Sequence, residues 1–154
     1  METIRDERED PGLRVLVVDD EPDMVATLRD LLGGEGNTVS VAYSGMEAVA
    51  TLEQRPFDVI LTDLSMPGMD GVELLKEARI RQPGVEVIII TGYGTIGSAV
   101  EAMRLGAFNY MIKPVEPREI LSNLDRVQRR YAARCDDPRQ HRFHDLIGQS
   151  AAIR

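Results

Sequence analysis

Short apolar runs alternate with amphipathic stretches along most of the chain. Residues 13–18 are almost continuously apolar, as in a strand buried on both faces. Pro22 suits a first helical position, and Met24, Leu28, Leu31 and Leu32 follow at helical spacing until Gly33-Gly34 ends the helix. Residues 38–42 read as a second strand. Ser44 and Glu47 make a capping-box pattern, Ala48, Val49 and Leu52 form an apolar face after it, and Pro56 breaks that helix. Residues 58–62 are a third strand. Asp70 can cap a third helix carrying Val72, Leu74, Leu75 and Ala78, and Pro83-Gly84 turns the chain. Residues 85–90 are the most β-branched stretch and are expected as a central strand. Ile96, Ala99, Val100 and Met103 give a fourth helical stripe closed by Gly106. Residues 108–112 are a fifth strand, and Pro117 opens a fifth helix with Ile120, Leu124, Val127 and Tyr131 along one side.

Five strands alternating with five helices predict an α/β fold with a parallel sheet covered on both faces. Short connections and right-handed crossovers favour a doubly wound sheet. Residues 1–12 are polar, end in Pro11-Gly12, and read as a flexible lead-in.

Composition narrows the class. With 154 residues and 43% hydrophobic content the chain suits one globular domain with short extensions, and is too apolar for a disordered one. No apolar run reaches the length of a membrane span, and the charged N-terminus lacks a signal-peptide h-region. Cys135 is the only cysteine, so no intrachain disulfide forms, which fits a cytoplasmic chain. The net charge of −8 argues against non-specific nucleic-acid binding by this stretch.

In an open parallel sheet, ligands bind at the carboxyl ends of the strands. The first predicted strand runs into Asp19-Asp20, the third into Asp63, the fourth into Thr91 and the fifth into Lys113-Pro114. Any one of these alone is ordinary. A single Asp after a strand is usually a cap or turn former, and a single lysine is usually a solvated side chain. Together they place three carboxylates, a hydroxyl and an ammonium on one edge. Clustered acids repel, and a divalent cation relieves the repulsion. Mg2+ prefers hard oxygen ligands and takes one or two carboxylates plus phosphate oxygens. No EF-hand loop is present for Ca2+, and Zn2+ would want Cys or His, yet the only histidines are His141 and His144 in the tail.

These residues also carry a resemblance. Val15-Leu16-Val17-Val18-Asp19-Asp20-Glu21 resembles the acidic-pair strand of bacterial response-regulator receivers, and Asp63-Leu64-Ser65-Met66-Pro67-Gly68-Met69-Asp70-Gly71 resembles their phosphoacceptor loop. Thr91-Gly92 and Lys113-Pro114 resemble the other two signatures, in the right order on the right elements. The likeness covers roughly residues 13–133. It implies a flavodoxin-like sheet of order 2-1-3-4-5 and a phosphoacceptor switch rather than an enzyme, with a sensor histidine kinase as partner. At the matched positions it implies Asp63 as nucleophile and Mg2+ held by Asp20, Asp63 and the Ser65 backbone carbonyl, with Asp19 acting largely through bound water. Thr91 and Lys113 would contact the phosphoryl group, and Tyr110 would be the gating aromatic. Ser65 and Tyr93 occupy the positions that tune phosphate lifetime, where a bulky Tyr93 would shield the acyl phosphate.

Thr91-Gly92-Tyr93-Gly94, Ala99-Val100-Glu101-Ala102-Met103 and Gly106-Ala107-Phe108-Asn109-Tyr110 resemble receivers of the NtrC-like class, which precede a sigma-54-activating ATPase and a DNA-binding domain. Leu146-Ile147-Gly148-Gln149-Ser150 looks like the opening of that ATPase, so residues 134–154 read as a linker and its truncated start. No Walker motif appears, so ATP hydrolysis and DNA binding belong to domains absent from this stretch. A homodimer through the fourth helix, fifth strand and fifth helix is expected, and Val127 and Tyr131 could extend a coiled-coil-like seam into it. Arg126, Arg129, Arg130 and Arg134 read as a solvated face.

Three rivals remain. An aspartate-nucleophile phosphohydrolase would carry a second Asp where Ser65 stands. A flavin module would need a phosphate-cradling loop where Asp19-Asp20-Glu21 would repel phosphate. A stand-alone receiver acting by protein contact is the third.

Overall fold

The computed structural model describes residues 12–136, with side chains to residue 133; the expectations for residues 1–11, His141, His144 and the 146–150 segment lie outside them. The elements run β1 (Arg14–Val18), α1 (Pro22–Gly33), β2 (Thr38–Ala42), α2 (Gly45–Leu52), β3 (Val59–Thr62), α3 (Gly71–Arg81), β4 (Glu86–Thr91), α4 (Ile96–Arg104), β5 (Asn109–Ile112) and α5 (Pro117–Asp136). The strands form one sheet of order β2-β1-β3-β4-β5, parallel throughout. This is the doubly wound α/β arrangement that the alternation predicts.

Alternate strand residues divide into two cores. Leu16, Val18, Ile60, Val87 and Ile89 face α2 and α3, with Ala102 of α4. Val15, Val17, Val59, Leu61, Ile88 and Ile90 face α1 and α5. The two-residue repeat of a strand makes this split, and burial on both sides explains why the runs look uniformly apolar in sequence. None of the described helices is long and apolar enough to cross a membrane.

The helix ends follow their local chemistry, with one difference. Asp70 caps α3 in a full capping box, its carboxylate accepting from the Glu73 amide while Glu73 accepts from the Asp70 amide. Gly106 ends α4 at φ 102°, and the Gly106 and Ala107 amides donate to the Met103 and Ala102 carbonyls, the paired bonds of a Schellman ending. At α2 the box is open. Ser44 accepts from the Glu47 amide, but the Glu47 carboxylate reaches one residue further back and accepts from the Tyr43 amide at 2.6 Å.

Two helices direct their apolar faces differently. The stripe on α4 faces outward: Ile96 is 85% exposed, Val100 and Met103 are exposed too, and Ala102 alone on this helix is fully buried. Periodicity shows that a helix has an apolar face, not what that face meets. On α5 the reverse holds. Val127 is fully buried in the α1/α5 core, and the Tyr131 hydroxyl lies 2.8 Å and 2.6 Å from the Asp58 and Gly84 carbonyls at the base of the sheet. Both residues serve this domain's own packing, so the seam expected from them is not available for a dimer.

Candidate functional site

Register sets the site. Val18 pairs with Thr62, so Asp19 and Asp63 leave adjacent strands side by side, and the Asp63 amide donates to the Val18 carbonyl at 3.0 Å. Thr91 closes β4 opposite Ile112, and the Lys113 amide donates to the Thr91 carbonyl at 2.8 Å. Four of the five strands thus deliver a polar side chain to one edge.

One carboxylate oxygen from each of Asp19, Asp20 and Asp63 lies within 4.8 Å of the other two. Asp19 and Asp63 are buried and Asp20 is exposed, which leaves the cluster open to solvent on one side. Lys113 Nζ reaches into it, 3.2 Å from Asp19 Oδ2, 3.7 Å from Asp63 Oδ2 and 3.9 Å from Glu21 Oε1. Asp19 Oδ1 accepts from the Glu21 amide at 3.0 Å, and Asp63 Oδ1 accepts from the Leu64 amide at 2.7 Å. One Asp63 oxygen is therefore anchored to the backbone while the other faces the lysine.

The electrostatics favour a cation. Burial pushes the Asp19 carboxyl above the ordinary aspartate range; the Glu21 amide and Lys113 oppose this, and neighbouring Asp63 adds to it. Burial draws the Lys113 ammonium down, yet Asp19, Asp63 and Glu21 hold it above the usual lysine value. The acids thus hold Lys113 charged, but one lysine does not satisfy them. Three carboxylates against one ammonium leave two negative charges on hard oxygen donors, a fit for Mg2+.

The remaining expected residues take their places around this edge. Thr91 is buried, with its hydroxyl accepting from the Tyr93 amide at 3.1 Å. Ser65 is exposed in the loop after Asp63. Tyr110 is half-buried on β5, and the Lys113-Pro114 bond is cis. Tyr93 is 78% exposed, so its ring is not packed as a shield in this state.

Sequence reading missed two residues around this edge and one buried acid far from it. Gly71 touches the back of the site: a Cβ there would lie 2.5 Å from the Asp63 carbonyl oxygen. Ser98 on α4 bonds the Tyr110 hydroxyl. Glu86 opens β4 at the opposite edge, only 3% exposed, with Arg79 and Arg130 3.7 Å and 3.6 Å from its carboxylate. Gly71 stands in a motif that sequence reading quoted without its steric reason. The other two carry no sequence signal, since their partners lie on other elements.

A family model described as "Response regulator receiver domain" matches residues 15–125. The transcriptional regulatory protein ZraR of Salmonella typhimurium is 38% identical over 113 residues, 73% of this chain and 26% of that protein. The DNA-binding transcriptional regulator NtrC of the same organism is 36% identical over 143 residues, 90% of this chain and 30% of that protein. The chain thus spans less than a third of these relatives' length. The solution structure of the beryllofluoride-activated NtrC4 receiver domain dimer aligns with a TM-score of 0.73 at 34% identity, over 77% of this chain and 98% of that one.

Proposed function

Because this chain belongs to the response-regulator receiver family of two-component systems, we propose that Asp63 accepts a phosphoryl group from a sensor histidine kinase and that Asp19, Asp20, Asp63 and the Ser65 carbonyl hold the Mg2+ this requires. The observation that carries the proposal is the buried Asp63 carboxylate, with one oxygen anchored by the Leu64 amide and the other beside Lys113, inside a three-carboxylate cluster. The P–N bond of a phosphohistidine breaks as the bond from phosphorus to the free Asp63 oxygen forms. Mg2+, when bound, neutralises charge on the transferring group. Lys113 offers a point charge that can leave Asp19 for a phosphoryl oxygen, and the Thr91 hydroxyl, which accepts from the Tyr93 amide, has its own hydrogen to donate to another as it turns toward Asp63.

The experiment is intact mass after incubation with acetyl phosphate and Mg2+. Wild type is expected to gain one phosphoryl group, and Asp63→Asn or chelation of Mg2+ to abolish the gain. An adduct of equal size on Asp63→Asn would place the chemistry elsewhere. A phosphohydrolase reading fares worse, because Ser65 stands in place of a second acid.

The output reading extends to a cytoplasmic regulator in which this domain controls a sigma-54-dependent activating ATPase, with residues 134–154 as linker and its start. DNA is contacted only through domains beyond this stretch. A homodimer through α4, β5 and α5 is part of the reading, supported by the outward Ile96, Val100, Met103 and Ile112 side chains. The NtrC4 receiver is a dimer in its beryllofluoride-activated form. Ile96→Asp with Met103→Asp is expected to weaken self-association of the beryllofluoride-bound chain at least tenfold by sedimentation equilibrium, the effect of burying charge in an apolar contact. Unchanged association would remove this face from the dimer.

A further inference from the structure

The Tyr110 hydroxyl is 2.8 Å from Ser98 Oγ, at the third position of α4. Ser98 is also half of the helix's capping box. Its Oγ accepts from the Thr95 amide at 3.0 Å and lies 2.9 Å from the Thr95 carbonyl, to which it donates. Counting protons orients the last bond. Ser98 has one hydrogen, and with it given to the Thr95 carbonyl, Tyr110 must be the donor. Tyr110 thereby joins the oxygen that caps α4, which also lies 3.2 Å from the Thr95 hydroxyl.

The ring is also pressed against the loop from β4. A Cβ at Gly94 would lie 2.2 Å from the Tyr110 hydroxyl oxygen and 3.0 Å from its Cε1 and from Ile112 Cδ1. One residue earlier in that loop the Tyr93 amide donates to the Thr91 hydroxyl. A continuous chain of contacts therefore runs from Thr91 through the 93–94 backbone to the Tyr110 ring, and from its hydroxyl into the first turn of α4.

We propose that Ser98 is a positioning residue for Tyr110: their hydrogen bond ties the ring to the α4 cap and holds both in the resting arrangement. This rests on the phosphoacceptor reading above and deepens it. Gly94 is small because the held ring lies over it. When Thr91 leaves the Tyr93 amide, the loop under the ring is freed, and Tyr110 can turn away only by giving up Ser98. The α4 cap and the ring then release together, which couples the two sites through one shared oxygen.

The test is a double-mutant cycle of Ser98→Ala, Tyr110→Phe and the pair, read by amide NMR shifts of α4 with and without beryllofluoride and Mg2+. Tyr110→Phe removes the tie but leaves the Thr95–Ser98 cap whole, so it separates the tie from helix capping. It is expected to move the α4 resonances of the unliganded chain part of the way toward the beryllofluoride-bound wild type. The active population rises about fivefold, the effect of one ordinary hydrogen bond. The double variant should move no further than either single one, beyond the local effect of the lost cap in Ser98→Ala. If Tyr110→Phe shifts only residues beside the ring, or the two effects simply add, the tie does not set the equilibrium. If wild type itself fails to respond to beryllofluoride, the phosphoacceptor reading falls and the tie falls with it.

Discussion

Asp20→Asn is expected to make the Mg2+-free chain more stable and to remove most of the stabilisation that Mg2+ confers. Asp20 belongs to a cluster in which one carboxylate oxygen from each acid lies within 4.8 Å of the other two, and the nearby Lys113 is engaged by Asp19 and Asp63. Unit charges at such a distance repel by about 1 kcal/mol in the high-dielectric limit and by about 3 kcal/mol at an effective constant of 20. Asp20 is exposed, so the lower figure applies, corresponding to a rise of about 3 °C in Tm for a domain of this size. Saturating Mg2+ stabilises the wild type by about 2–3 kcal/mol at a hundredfold excess over Kd. The variant lacks a ligand and should gain far less. Thermal melts in EDTA and in Mg2+ check both halves. A lower Tm in EDTA would mean that the acids are not strained.

The strain has a pH signature at Asp19, whose folded pKa is raised mainly by burial. The folded state then binds that proton more tightly than the unfolded chain. The penalty is absent below the unfolded aspartate value of about 3.9 and full above the raised folded value. In EDTA, the stability difference between Asp19→Asn and wild type should therefore shrink as pH falls through that window.

Gly71→Ala is expected to cost about 3 kcal/mol and to impair phosphoryl uptake in whatever remains folded. Gly71 starts α3, and its amide donates to the Leu64 carbonyl at 2.8 Å. Its added Cβ would meet the Asp63 carbonyl oxygen at 2.5 Å and Leu64 Cα at 2.9 Å. Both are backbone atoms at the end of β3, so no rotamer change relieves the contact. The helix must retreat from the strand that presents Asp63. Gly33→Ala, at an exposed helical position with nothing within 4 Å, is the control and should be neutral or slightly stabilising. Urea melts together with intact mass would decide it; equal stability of the two variants would show that α3 can shift freely.

The elements and the acidic edge were legible for a common reason: both are written in local signals. Doubly buried strands read as unbroken apolar runs, Asp70 and Glu73 state a helix start, and the residue after each strand is adjacent in sequence to a recognisable run. What sequence left hidden was assigned by distant partners. Ile96, Val100 and Met103 read as a helical stripe, but the spacing does not say what the stripe meets, and α2 and α3 already cover that face of the sheet. Val127 and Tyr131 read as a seam, but the base of the sheet lies within their reach. Glu86 gives no hint of burial, because Arg79 comes from α3 and Arg130 from α5.

The single buried residue of α4 has a further consequence. Local opening free energies follow the buried contacts that must be broken, and α3 buries Gly71, Val72, Leu74, Leu75 and Ala78 where α4 buries only Ala102. The sheet and α3 therefore open only near the limit of global unfolding, whereas α4 can detach and re-seat in a sub-global fluctuation that leaves the acidic edge assembled. Amide exchange is therefore expected to be faster on α4 than on α3, with the domain able to relocate one helix without melting anything that holds Asp63.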